Sequence, residues 1–134
     1  MAVSPELAGR TFPATPPYEV TAERVVEFAA ATGSAYEGTA PATFPIVVAF
    51  RAMTGLMEDP EVGIALHRVV HGEQRFSYTR PVVPGDVLTA TLTVDSLRQI
   101  GGADIIGTRS EIVDADGSHV VTAYAVLVHR GEAS

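Results

Sequence analysis

The amino-acid order predicts an α+β domain in which a curved antiparallel sheet wraps around a long apolar central helix. Three observations predict it. Residues 44–57 hold Ile46, Val47, Val48, Ala49, Phe50, Ala52, Met53, Leu56 and Met57, with Arg51 the one internal charge, and a helix without a polar face is a buried helix. From residue 66 onward the apolar period changes to two, the pattern of strands with one buried face. The later strands are joined by Gly101-Gly102 and by Asp114-Ala115-Asp116-Gly117, hairpin turns with glycine where positive φ is required. A sheet of that kind cannot cover the helix completely. A second copy or a related subunit, packed edge to edge, is expected to finish the cover.

Each element follows in order. Residues 1–17, with Pro5, Pro13, Pro16 and Pro17, read as a lead-in, and Tyr18-Glu19-Val20 as a short strand. Thr21 stands as an N-cap, with Arg24 rather than an acid three residues on, so the capping box is incomplete. Val25, Val26, Phe28 and Ala29 share a broad helical face, and Gly33 supplies the stop. The central helix is expected over 44–57, with Pro45 in its first turn, ended by Glu58-Asp59-Pro60-Glu61. Strands are expected over 67–78, 87–97, 103–113 and 120–129. Pro81 and Pro84 keep 80–86 out of the ladder because proline cannot donate to it.

Composition narrows the function. At 134 residues the chain forms one domain, 1–134, able to bury its own core. The hydrophobic share is 46% with mean hydropathy +0.21, an excess that suits a partner subunit or a greasy ligand. No apolar run is long enough to span a bilayer, and no signal peptide is read at Met1-Ala2-Val3-Ser4-Pro5-Glu6, so a cytoplasmic location is expected. The absence of cysteine excludes disulfides and thiolate chemistry. Net charge is −7 and every basic residue is an arginine, a poor composition for nucleic-acid binding, which relies on neutralising phosphates. No Walker loop or dinucleotide fingerprint is present, so no cofactor is expected.

Several blocks are family-like: His71-Gly72-Glu73-Gln74, Phe76, Tyr78, Arg80-Pro81, Pro84-Gly85-Asp86, and the helix entry Ala40-Pro41-Ala42-Thr43-Phe44-Pro45. With the opening Gly9-Arg10 to Val20 and the helix at Arg24, they resemble the N-terminal family of MaoC-like, FAS1-like dehydratases, and the likeness covers almost the whole chain. It implies the hot-dog fold. It is strongest toward actinobacterial (3R)-hydroxyacyl-acyl-carrier-protein dehydratases, in which two hot-dog chains pair. One of those chains carries an Asp/His dyad and the other contributes the acyl channel, and this sequence is similar to the second kind. In the family, the segment before the central helix carries the Asp and His. Here Thr32-Gly33 is followed only by Ser34-Ala35-Tyr36-Glu37-Gly38-Thr39-Ala40, with neither. The resemblance thus implies a catalytic MaoC-like partner subunit, a carrier-protein or coenzyme A thioester as substrate, and no metal. Acyl carrier proteins are acidic and need a local positive face, with which this chain is not generous.

Dehydration of a 3-hydroxyacyl thioester needs a base for the α-proton, an acid for the hydroxyl, and N–H donors for the thioester oxygen. Glu37 and His71 are the catalytic candidates; the plainer readings are a solvated loop acid and a hydrogen-bonded strand histidine. His67 and His71 are too far apart along a strand to chelate one ion readily. His119 and His129 are expected at the surface. Tyr36, Phe44, Pro45, Val48, Met53, Phe76 and Tyr78 are the candidates to line an acyl slot, against the plainer reading that they fill the core. The block at 80–86 reads as turn chemistry, with Asp86 accepting from local backbone N–H groups. A subunit of a heterodimeric dehydratase in fatty-acid or polyketide synthesis is the leading expectation. A stand-alone homodimeric hydratase or thioesterase, and an acyl-binding module without turnover, remain as alternatives. For a thioesterase the central helix offers acids only at its end, Glu58-Asp59.

Overall fold

The structure, a computed structural model, describes residues 5–34, 38–59, 62, 64 and 68–130. Its elements are β1 (Tyr18–Glu19), α1 (Ala22–Thr32), α2 (Ile46–Glu58), β2 (Val69–Tyr78), β3 (Val87–Ile100), β4 (Ala103–Val113) and β5 (His119–Arg130), after a single 3-10 turn at Pro5–Leu7.

Local chemistry sets the helix ends. The Thr21 hydroxyl accepts the Arg24 N–H at 3.1 Å, and Gly33 closes α1 in the left-handed region at φ 71°, where a side chain would be strained. α1 buries Val25 and Ala29, one turn apart. α2 starts two residues later than the apolar run suggests. Residues 41–45 form a turn in which the Phe44 N–H reaches the Pro41 carbonyl, and Pro45 is the N-cap. Val48, Ala49, Ala52, Met53 and Leu56 form the buried stripe of α2, while Phe50 is 51% exposed and Arg51 is also exposed. The expectation of a helix buried all round therefore fails for the single chain, because one layer of sheet contacts one side of a cylinder.

The five strands pair antiparallel in the order β1-β3-β4-β5-β2. Alternation in β3, β4 and β5 sends Leu88, Ala90, Leu92, Val94, Ile106, Ile112, Val121, Ala123, Ala125 and Leu127 inward. β3 runs three residues beyond the expected end, to a hairpin whose Gly101 and Gly102 both hold positive φ. Register shifts at His71/Glu73, Val94/Ser96 and Ile112/Val113 add the local bends that curl a sheet. α2 packs on β3 and β4 across the concave side. The result is the hot-dog arrangement that the resemblance implies.

The two sheet edges are treated differently. Alongside β3, beyond β1, the lead-in chain forms a second border: Phe12 N–H to Leu92 O, Thr15 N–H to Ala90 O, and a reciprocal Gly9/Val94 and Val94/Arg10 pair. Leu7 and Phe12 of that segment are buried, and Arg10 reaches Asp59 at the end of α2 at 2.9 Å. At the other border, β2 pairs with β5 only, among the described residues.

Candidate functional site

The candidate site is the concave face of β2, which lies beyond β3 and β4, the strands on which α2 mainly packs. The register of β2 on β5 places Val69, His71, Gln74, Phe76 and Tyr78 opposite His129, Leu127, Ala125, Ala123 and Val121, so these five side chains share the inner face. His71 and Tyr78 are exposed, and Gln74 and Phe76 are half-buried. At one end of this face lies a cavity of about 420 Å³, lined by Thr39, Ala40, Ala42, Tyr78, Thr79, Arg80 and Pro81. The Tyr78 hydroxyl donates to the Ala42 carbonyl in the turn that leads into α2, tying the edge strand to the helix entry. Burial pushes the Tyr78 phenol up to about 12, so at neutral pH it stays a donor.

Beside the cavity, Arg80 organises the two turns that close this end of the sheet. Its guanidinium meets Asp86 bidentately, at 2.9 and 3.0 Å, and Asp114 at 3.1 Å. Burial would raise the Asp86 carboxyl, but hydrogen bonds from Arg80 and the Val83 N–H outweigh it and hold the acid below its ordinary range. The Ser118 N–H, then Arg80, hold the Asp114 carboxyl low. Arg80 itself is raised, first by Asp86.

The sequence candidates separate in space. Phe44, Val48 and Met53 are core residues, 0%, 0% and 1% exposed; Phe44 packs edge-on to Phe28 at 5.3 Å. Pro45 is buried at the start of α2. Tyr78 lines the cavity, and Phe76, on the same inner face, is half-buried against the core. Tyr36, Glu37 and His67 lie outside the described residues. His71 is on the open face, and its Nε2 meets the Gln74 side-chain oxygen at 2.9 Å.

The other two described histidines both pair with carboxylates. His119 sits behind Thr79: its Nδ1 is 2.6 Å from the Thr79 hydroxyl, and its Nε2 meets Thr122 at 2.7 Å and Glu111 at 3.2 Å. It is not among the residues that line the cavity. The expectation of a surface His129 is wrong: it is 1% exposed, with Nδ1 2.9 Å from Asp104, whose other oxygen accepts from Gln99 at 2.8 Å. His129 continues the inward phase of Val121, Ala123, Ala125 and Leu127, a signal present in the strand pattern. Its partner, 25 residues away, is not visible there. Among the described residues no cluster of acids and histidines has the makings of a metal site, and no helix is long and apolar enough to cross a membrane.

Comparison with known proteins gives concordant matches. A UPF0336 protein of Clavibacter michiganensis subsp. michiganensis is 46% identical, with 98% of this chain and 99% of that protein covered. Its alignment runs over 147 positions, more than the 134 residues here, so that protein carries residues with no counterpart in this chain. A UPF0336 protein of Leifsonia xyli subsp. xyli is 48% identical, covering 97% of each. Among solved structures, a chain of the C-terminally truncated HadBC complex of Mycobacterium tuberculosis, a (3R)-hydroxyacyl-ACP dehydratase, superposes with a TM-score of 0.79 at 28% identity. The match covers 91% of this chain and 96% of that one. Residues 6–123 match the family described as "FAS1-like, dehydratase domain region". With that span matched, and with the curled sheet and central helix in place, the chain belongs to the FAS1-like dehydratase family of hot-dog proteins.

Proposed function

We propose that this chain is the non-catalytic subunit of a heterodimeric (3R)-hydroxyacyl-thioester dehydratase of the cytoplasm. A second hot-dog chain supplies the acid–base pair, while this one shapes the acyl tunnel, in fatty-acid or polyketide synthesis. The observation that carries the reading is the chemistry of the open face. Of the described histidines only His71 is exposed on it, and its ring is paired with an amide rather than a carboxylate. An imidazole without an orienting acid is a poor general base for an α-proton. Of the two described imidazole–carboxylate pairs, His129–Asp104 is buried on the inner face, 1% exposed at the far end of β5, and His119–Glu111 reaches the cavity only through the Thr79 hydroxyl.

Two further points support it. Among the described residues β2 has no strand on its outer side, and unpaired backbone N–H and C=O groups favour pairing with another strand. The similar HadBC chain comes from a complex that acts on hydroxyacyl carrier-protein substrates. In this reading Phe76 and Tyr78 form the tunnel wall, and Phe44, Pro45, Val48 and Met53 are the packed layer behind it.

The test is turnover of a 3-hydroxyacyl carrier-protein thioester by the purified chain, alone and after co-expression with a MaoC-like neighbour. Activity is expected only with the partner, and His71→Gln and Glu37→Gln are expected to keep most of it. Dehydration by the chain alone, or a loss of 10³-fold or more on either substitution, overturns the assignment in favour of the stand-alone enzyme.

A further inference from the structure

Four of the nine described arginines in this acidic chain are neutralised by carboxylates: Arg10 by Asp59, Arg75 by Glu73, Arg80 by Asp86 and Asp114, Arg109 by Asp95 and Glu111. Arg24 and Arg51 are different. Both are exposed, neither forms an ion pair among the described residues, and both guanidiniums lie over the same ring, each 4.8 Å from the centroid of Tyr18. Their charges are therefore no more than about 10 Å apart, close to one Debye length at 0.1 M salt, so an anion near the ring feels both.

The pair is held in place rather than free to disperse. Tyr18 is 7% exposed, belongs to β1, and packs at 6.4 Å from Phe44, which is itself fixed against Phe28. Arg24, in the first turn of α1, also donates to the Glu19 carbonyl at 2.6 Å. Arg51 projects from α2, the helix whose entry turn contributes Ala42 to the cavity rim. Two like charges brought together without a counter-charge repel, and the arrangement becomes favourable when an anion joins them. Guanidinium planes also suit the oxygens of a phosphate, which they bind through paired N–H bonds.

Resting on the thioester reading above, we propose that Arg24 and Arg51, stacked on Tyr18, anchor the phosphate of a phosphopantetheine-linked acyl thioester. Such a substrate carries its phosphate at the far end of the arm from the thioester. Binding there would therefore hold the substrate at a point remote from the reacting carbon, and it concerns affinity rather than the chemical step.

The experiment follows the arginine Nε–Hε signals of the full-length chain by NMR, titrated with 4′-phosphopantetheine, with pantetheine lacking the phosphate, and with an apo acyl carrier protein. Saturable shifts at Arg24 and Arg51 with phosphopantetheine are expected, with none for pantetheine and none at Arg98 or Arg130. Arg51→Gln and Arg24→Gln should each weaken binding about tenfold, an effect of the size of one charge-assisted contact. Arg51→Lys should recover only part of the affinity lost in Arg51→Gln, because lysine keeps the charge and loses the paired N–H bonds, whereas a merely packing role would leave phosphopantetheine binding unchanged in both. Equal shifts at Arg98 and Arg130, equal binding of pantetheine, or binding of the apo carrier protein in place of phosphopantetheine overturns the proposal. The titration needs no turnover. A partner complex that fails to dehydrate while the shifts remain removes the functional reading and leaves the anchor, and active complexes without the shifts remove the anchor alone.

Discussion

Tyr78 shows how much one side chain contributes to the open face. Its ring stands on the inner side of the edge strand and its hydroxyl reaches the Ala42 carbonyl across 36 residues of sequence. Tyr78→Phe should cost about 0.5–1.5 kcal/mol, the net worth of one hydrogen bond, read as a lower urea midpoint at unchanged slope. The pH consequence has a definite sign. The folded phenol titrates at about 12 and its ordinary value is 10.0, so its contribution is complete below pH 10 and is lost as pH rises through 12. Absorbance titration should show a late tyrosine step that is absent in Tyr78→Phe. A late step that survives the substitution would assign it to another tyrosine.

At the level of elements, the link between β2 and β3 is stabilised by charge as well as by proline. Arg80 joins this turn to the β4–β5 turn, through Asp86 in one and Asp114 in the other. The Asp114 carboxylate also accepts the N–H groups of Asp116 and Ser118, an arrangement that fixes a tight hairpin. Asp86→Asn should destabilise by about 1–3 kcal/mol, because it removes a charge-assisted pair and leaves Arg80 with one acid. Both carboxyls are held below 3.8, so the stability they confer is present above that value and lost as pH falls through their lower folded-state values. Chemical denaturation at a series of pH values should show a shallower acid decline in Asp86→Asn than in the parent chain. An identical acid limb would remove Asp86 from the account. The helix α2 offers a second contrast. Met53→Ala, in the core, should cost about 2–5 kcal/mol, whereas Phe50→Ala on its open side should stay within about 0.5 kcal/mol in the isolated chain.

On the scale of the whole molecule, the asymmetry of the two sheet borders is the central feature. The lead-in chain shields one border with backbone hydrogen bonds and two buried apolar side chains, while β2 has one neighbour among the described residues. Long unpaired edges invite pairing, and the open helix side with Phe50 adds apolar surface to the same demand. In the proposed heterodimer, substitutions on the open face should be felt only after assembly. Phe50→Ala is the probe: a loss of complex stability clearly larger than its loss in the isolated chain, measured by thermal unfolding of each, is the expected outcome. Equal effects in both would place Phe50 outside the interface.

What the sequence determined by itself was local. Thr21 and Gly33 bound α1 because their side-chain and backbone preferences act over one turn, and Gly101-Gly102 and Asp114 to Gly117 turn the chain because positive φ suits glycine. The two-residue period set the strands and their inner faces for the same reason, and the apolar run over 44–57 announced a helix, although Pro45 moved its start to Ile46. Only the tertiary structure decided that Phe44, Val48 and Met53 are interior, that Phe76 is half-buried against them and that Tyr78 lines the cavity, since that depends on α2 packing mainly on β3 and β4. The burial of His129 on Asp104, and the meeting of Arg24 and Arg51 on Tyr18, were equally invisible. Each joins residues from different elements, and such pairings arise from register and packing, which no short window of sequence contains.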